Sequence, residues 1–131
     1  MDDASVKPEP GVSAGAAMFT KLKALGVDCI VVNSGTDFPP IIEGLAEANA
    51  NGVDLPQPLI VPHEHAAMGM AHGYHLATGK TPVVMLHTNV GLSNGVTGLI
   101  NAATDHIPML LMSGRTPVTE KSRFGARTVP I

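Results

Sequence analysis

The chain has 131 residues, 44% of them hydrophobic, which suits one globular domain with a real core and excludes a disordered chain. Its net charge of −3 gives no reason to expect nucleic acid or an anionic membrane as partner, and no window approaches the about 18 continuous apolar residues of a membrane helix. With three Phe, one Tyr and no Trp against fourteen Gly, the core has to be built from Val, Ile, Leu, Met and Ala, in close helix-on-sheet packing.

Residues 1–12 hold two Asp, two Pro and no apolar run, so they resemble neither a secretory signal nor an Arg-rich transit segment. They are expected to form a loose tail, with the cytoplasm as the default location. Ser13 is placed to cap a helix whose apolar positions Met18, Leu22 and Leu25 share one face, and Gly26 to close it. Residues 27–32 form a short apolar run rich in β-branched residues, without clean alternation. That pattern predicts a strand covered on both faces, as parallel strands are. Cys29 lies inside the run as the only cysteine, so no internal disulfide exists and a buried inert thiol is expected in preference to a nucleophile.

Asn33-Ser34-Gly35-Thr36-Asp37 has the turn and capping chemistry of a strand end, and Pro39-Pro40 then opens a helix carrying Ile41, Leu45 and Ala48. After a polar connection over 49–58 the pattern repeats, with a strand over 59–61 and a helix from Glu64 to Ala77 closed by Gly79. A strand over 82–87, a helix over about 94–103 and a strand over 108–112 follow. Such alternation with short links predicts an α/β fold, a doubly wound, mostly parallel sheet with helices on both faces. The domain is expected to span 13–115. Residues 116–131 are expected to be a loop or a truncated continuation of it, and their basic residues a solvated surface, because no Gly-rich cradle accompanies them.

Glu64 therefore stands at a strand's carboxyl end, where ligands of open α/β sheets collect. A solvated first-turn glutamate that favours the helix dipole would occupy the same position. Val61, Ala66, Ala67 and Met68 surround it in sequence, apolar company that favours a dry site. His63, His65, His72 and His75 cluster around Glu64, but their spacing fits no zinc motif, and no protein-bound metal is expected. His87 ends an apolar strand before Thr88-Asn89-Val90-Gly91, read as a turn, and a buried core histidine there would need a partner that its sequence neighbours do not supply.

The ordered series Glu64, Ala71-His72-Gly73-Tyr74, Thr78-Gly79, Leu86-His87-Thr88, Gly91, Asn94, Thr97-Gly98-Leu99, Asn101-Ala102 and Pro108 resembles the pyrimidine-binding (PYR) domain of thiamine-diphosphate enzymes, the acetolactate synthase and benzoylformate decarboxylase group. The similarity covers roughly residues 15–115. It implies that Glu64 hydrogen-bonds N1′ of the cofactor's aminopyrimidine and favours the imino tautomer that accepts the thiazolium C2 proton. A carboxyl that shares a proton with a ring nitrogen has to hold it near neutral pH, which asks for a dry site. The resemblance further implies that Gly35, Thr36, Thr88, Gly91 and Asn94 contribute to cofactor binding and that His87 is an acid/base on the substrate side. Thr36 lines up with a serine of benzoylformate decarboxylase, and Leu86-His87 followed by a hydroxyl residue matches that enzyme. Acetolactate synthases carry Ser-Gly-Pro-Gly where this chain has Thr88-Asn89-Val90-Gly91.

In the resembled family the diphosphate is held through Mg²⁺ on a separate domain with a Gly-Asp-Gly motif, which this sequence lacks. The resemblance thus implies the pyrimidine half of an enzyme that decarboxylates or joins 2-oxo acids. A diphosphate-binding domain or subunit and a homo- or hetero-oligomer, dimer or tetramer, are implied as partners. A fragment of a longer polypeptide, or one subunit of a split enzyme, is expected. A non-catalytic scaffold of this type and a flavodoxin-like small-ligand domain are the alternatives.

Overall fold

The structure, a computed structural model, describes residues 11–115. Residues 1–10 of the tail and the whole 116–131 segment lie outside the described residues.

The elements follow one another as α1 (Ala14–Ala24), β1 (Cys29–Asn33), α2 (Pro39–Ala50), β2 (Gln57–Ile60), α3 (Glu64–Thr78), β3 (Val83–Leu86), α4 (Thr88–Thr104) and β4 (Leu110–Ser113). Local chemistry sets most of these boundaries. The Ser13 hydroxyl accepts a hydrogen bond from the Ala16 amide at 3.2 Å and starts α1. Gly26 and Gly79, at φ +85° and +70°, end α1 and α3 in the left-handed conformation that glycine adopts without a Cβ clash. Pro39 and Pro40 occupy the first turn of α2, where a missing amide hydrogen costs nothing.

All strand pairs are parallel and the order is β2-β1-β3-β4. Side chains of the two central strands alternate between two cores. Ile30, Val32, Val83 and Met85 pack with Phe19, Leu22 and Phe38 on the face covered by α1 and α2. Val31, Val84 and Leu86 pack with Ala67, Met68 and Ala71 on the face covered by α3 and α4. This is the expected doubly wound arrangement. The expectation of strands covered on both faces holds for β1 and β3 but not for the edges, since Ile60 of β2 is 79% exposed. Pro58, which has no amide hydrogen to donate, is tolerated because β2 is an edge strand.

One boundary differs from expectation in a way that matters for the site. Thr88-Asn89-Val90-Gly91 is not a turn, because α4 begins at Thr88, directly after β3, and the Gly91 amide donates to the His87 carbonyl at 2.8 Å. Gly91 and Asn89 carry turn propensity, but Gly91 is buried against Leu86, and this packing overrides the local preference.

Helices α1 and α2 touch through glycine. A methyl group added at Gly44 would lie 2.5 Å from the Gly15 Cα, against backbone that has no rotamer to escape into. Gly44→Ala gains about 1 kcal/mol of helix propensity, and overpacking costs typically about 1–3 kcal/mol, so a net loss is expected. A lower urea midpoint with an unchanged m-value is the predicted result, and an unchanged midpoint would show that α1 and α2 are free to separate.

Candidate functional site

The sheet order reverses between β1 and β3, because the chain leaves β1 through α2 toward β2 on one side and leaves β3 through α4 toward β4 on the other. In open α/β sheets this reversal opens a crevice outside the carboxyl ends of the strands. Two groups of polar residues stand at those strand ends.

The first is centred on Glu64. Asn33, the last residue of β1, donates from Nδ2 to the Val61 carbonyl at 2.9 Å, and the Val61 amide bonds the Val32 carbonyl at 2.9 Å. These bonds tie the end of β2 to β1 and fix the entry into α3, of which Glu64 is the first residue. Asn94 of α4 donates from Nδ2 to Glu64 Oε2 at 3.3 Å. Gly91 lies one turn earlier, and a methyl there would come within 3.3 Å of Glu64 Oε1. Helix α4 approaches this closely because Gly95 and Gly98 continue the same stripe. A methyl at Gly95 would meet Leu86 Cδ1 at 2.7 Å, and one at Gly98 would collide with Met68. The apolar residues Val61, Ala67 and Met68, neighbours of Glu64 in sequence, are buried. Ala66 instead faces solvent and Glu64 itself is half-buried, so this chain alone shields one side of the carboxylate.

The second group is centred on His87, which precedes α4 as its N-cap. Its Nδ1 lies 2.6 Å from Asp37 Oδ1, with the two side chains 32% and 16% exposed. The other Asp37 oxygen accepts from the Thr88 amide at 3.4 Å, and the Thr88 carbonyl accepts from the Ser113 hydroxyl at 2.6 Å. Thr88 sits at φ +46°, which is costly for a β-branched residue and is found where surrounding contacts over-determine the backbone. Gly35 and Gly114 enclose the pair, for a methyl at Gly35 would strike the His87 ring and one at Gly114 the Asp37 carboxylate.

The structure thus brings Glu64, Gly91 and Asn94 together, and Gly35, His87 and Thr88 together. The first turn of α4 joins the two groups, since Gly91 touches Glu64 and bonds the His87 carbonyl. Thr36 is exposed on the turn after β1, and among the described residues no side-chain hydrogen bond links it to either group. Asp37, Asn33 and Ser113 are additions. Asp37 looks in sequence like a helix cap, yet α2 starts from Phe38 without any side-chain cap and the carboxylate reaches across to β3. His87 therefore has a partly buried partner that its sequence neighbours do not supply.

Three of the remaining histidines, His63, His72 and His75, have side-chain partners. His63 Nδ1 accepts from the His65 amide at 3.2 Å, His72 lies 3.5 Å from Asp105, and His75 meets the Lys80 carbonyl at 2.9 Å. Among the described residues no three His, Cys, Asp or Glu side chains converge as metal ligands, and no helix is long and apolar enough to cross a membrane. At the opposite, amino end of the sheet, Lys80 pairs with Asp28, holding that carboxyl below its usual range, and Tyr74 also reaches Asp28. Burial first and the Asp28 charge second push the neighbouring Cys29 thiol up, so it stays protonated at neutral pH, away from the crevice. Folded protein is expected to react with a disulfide thiol reagent at pH 7 well below the rate of free cysteine, rising on unfolding in urea. Equal rates in both states would mean that Cys29 is reactive.

The domain is an α/β fold with a parallel sheet whose carboxyl edge gathers a braced carboxylate and an aspartate–histidine pair. The chain belongs to the family described as thiamine pyrophosphate enzyme, N-terminal TPP binding domain, whose model matches residues 12–128. It is 34% identical over 106 residues to an acetolactate synthase large subunit of Parasynechococcus marenigrum (strain WH8102), covering 81% of this chain and 17% of that protein. It is 30% identical over 100 residues to a benzoylformate decarboxylase of Pseudomonas aeruginosa, covering 76% of this chain and 18% of that protein. Its fold superposes on a thiamine diphosphate-dependent 4-hydroxybenzoylformate decarboxylase of Rhodococcus jostii RHA1 with a TM-score of 0.68 and 26% identity, over 84% of this chain and 19% of that one. The chain therefore spans less than a fifth of the length of these relatives.

Proposed function

We propose that this domain supplies the aminopyrimidine-binding half of a thiamine-diphosphate-dependent enzyme that decarboxylates or joins 2-oxo acids. The observation that carries the proposal is Glu64, held at the carboxyl edge of the sheet by Asn94 with Gly91 beside it. Asn94 engages Oε2 and leaves Oε1 on the Gly91 side, where the missing side chain keeps the carboxylate open to a flat ring. The carboxylate so placed is in a position to hydrogen-bond a ring nitrogen such as N1′. When bound, thiamine diphosphate supplies nucleophilic carbon chemistry at its thiazolium C2.

His87 serves on the substrate side of the same crevice as an acid/base for the carboxyl or carbonyl oxygen, with Gly35 giving its ring room and Thr88 opening α4 directly behind it. Thr36 borders the crevice from the β1 end. The relatives named as acetolactate synthase and benzoylformate decarboxylase support a 2-oxo acid as the substrate class.

The diphosphate and Mg²⁺ are assigned to another domain or subunit, because this sequence contains no Gly-Asp-Gly motif. The surface supports such a partner. Helix α4 leaves Leu92 36%, Val96 41% and Ile100 58% exposed, an apolar stripe at i, i+4 and i+8 of the kind that interfaces cover.

In the assembled enzyme, Glu64→Gln is expected to slow hydrogen–deuterium exchange at the cofactor's C2 by about 10²- to 10⁴-fold, the span typical of a lost general acid–base group. An exchange rate equal to the unmutated enzyme's would leave the domain an assembly scaffold.

A further inference from the structure

We propose that Asp37 is a positioning residue for His87. Its carboxylate holds the imidazole in the tautomer with hydrogen on Nδ1, so that Nε2 presents its lone pair to the crevice. The proposal rests on the acid/base reading of His87.

Four observations carry it. The Nδ1–Oδ1 separation of 2.6 Å is a hydrogen-bond distance, and a carboxylate oxygen opposite Nδ1 is an acceptor that favours the hydrogen on that nitrogen. The second carboxylate oxygen takes the Thr88 amide, and Ser113 holds the Thr88 carbonyl, so the residue after His87 is clamped on both sides in its positive-φ conformation. Gly35 and Gly114 are each in contact with one member of the pair, at positions where any side chain would displace it. The carboxylate is also withheld from α2, whose N-cap, Phe38, has no side-chain partner, although a cap is worth about 1 kcal/mol. Stability alone would place this aspartate on the helix. The pair instead bridges β1 and β3 at the reversal of strand order, where a ligand has access.

An imidazole without this partner rotates and exchanges tautomers, and part of its population then offers Nε2–H where a base is needed. Loss of the partner should lower kcat while KM stays near its unmutated value, because the orientation matters to proton transfer and not to holding the substrate.

The test is nitrogen-15 NMR of histidine-labelled assembled enzyme together with the kinetics of Asp37→Asn and His87→Ala. The unmutated enzyme should show His87 with hydrogen on Nδ1 and a bare Nε2. In Asp37→Asn that preference should weaken, kcat should fall by about 10- to 10⁴-fold, the span seen when an orienting partner is lost, and C2 exchange, assigned to Glu64, should persist. A bare Nδ1 in the unmutated enzyme overturns the proposal without any mutant having to fold. So does an Asp37→Asn enzyme with an unchanged tautomer and unchanged kcat, or one that loses C2 exchange along with turnover, which would mark Asp37 as structural. Failure of the underlying reading looks different. His87→Ala would then turn over like the unmutated enzyme, which removes any role for Asp37 in the reaction whatever the nitrogen signals show.

Discussion

The close approach of α4 to the sheet is the constraint on which the rest of this domain depends. Glycine at 91, 95 and 98 lets the helix settle directly onto Leu86, Met68 and Glu64. Only at that distance does Asn94 reach the Glu64 carboxylate. Because the helix starts at Thr88 with no intervening loop, His87 is held at the mouth of the crevice by both the strand before it and the helix after it. Larger residues in the stripe would lift α4 and separate the two halves of the site together.

The strained backbone at Thr88 belongs to the same economy. Passing from β3 into α4 without a loop forces a sharp change of direction, and Thr88 absorbs it at φ +46°. A β-branched residue holds that conformation only under restraint, of order 1–3 kcal/mol, and Asp37 and Ser113 supply the restraint from β1 and β4. Three neighbouring strands thus converge on one peptide, which is why a half-exposed histidine keeps a fixed aspartate beside it.

Much of the fold is legible from residues alone. The caps at Ser13, Gly26 and Gly79, the prolines opening α2 and the apolar runs of β1 and β3 each act locally, and each appears where its chemistry predicts. Glu64 is also legible, since an acidic residue directly after an apolar run and before a helical pattern marks a strand's carboxyl end. The misreadings come from non-local packing. Residues 88–91 have turn composition, and only contact of Gly91 with Leu86 and Glu64 makes them helical. Asp37 carries the sequence signature of a helix cap, and nothing within ten residues of it indicates His87. Their partnership needs the sheet order, which sets β1 beside β3 and brings together residues fifty positions apart in the chain. The edge exposure of Ile60 is likewise a property of strand order and not of its own segment.

The central claim is that Glu64, braced by Asn94 and opened by Gly91, is the seat of the cofactor's aminopyrimidine ring. A crystal structure of the assembled enzyme with thiamine diphosphate tests it most directly. The account predicts N1′ within hydrogen-bond distance of a Glu64 carboxylate oxygen, about 2.6–3.2 Å, with Asn94 still on the other oxygen. An aminopyrimidine seated on other residues, with Glu64 turned to solvent, would contradict it.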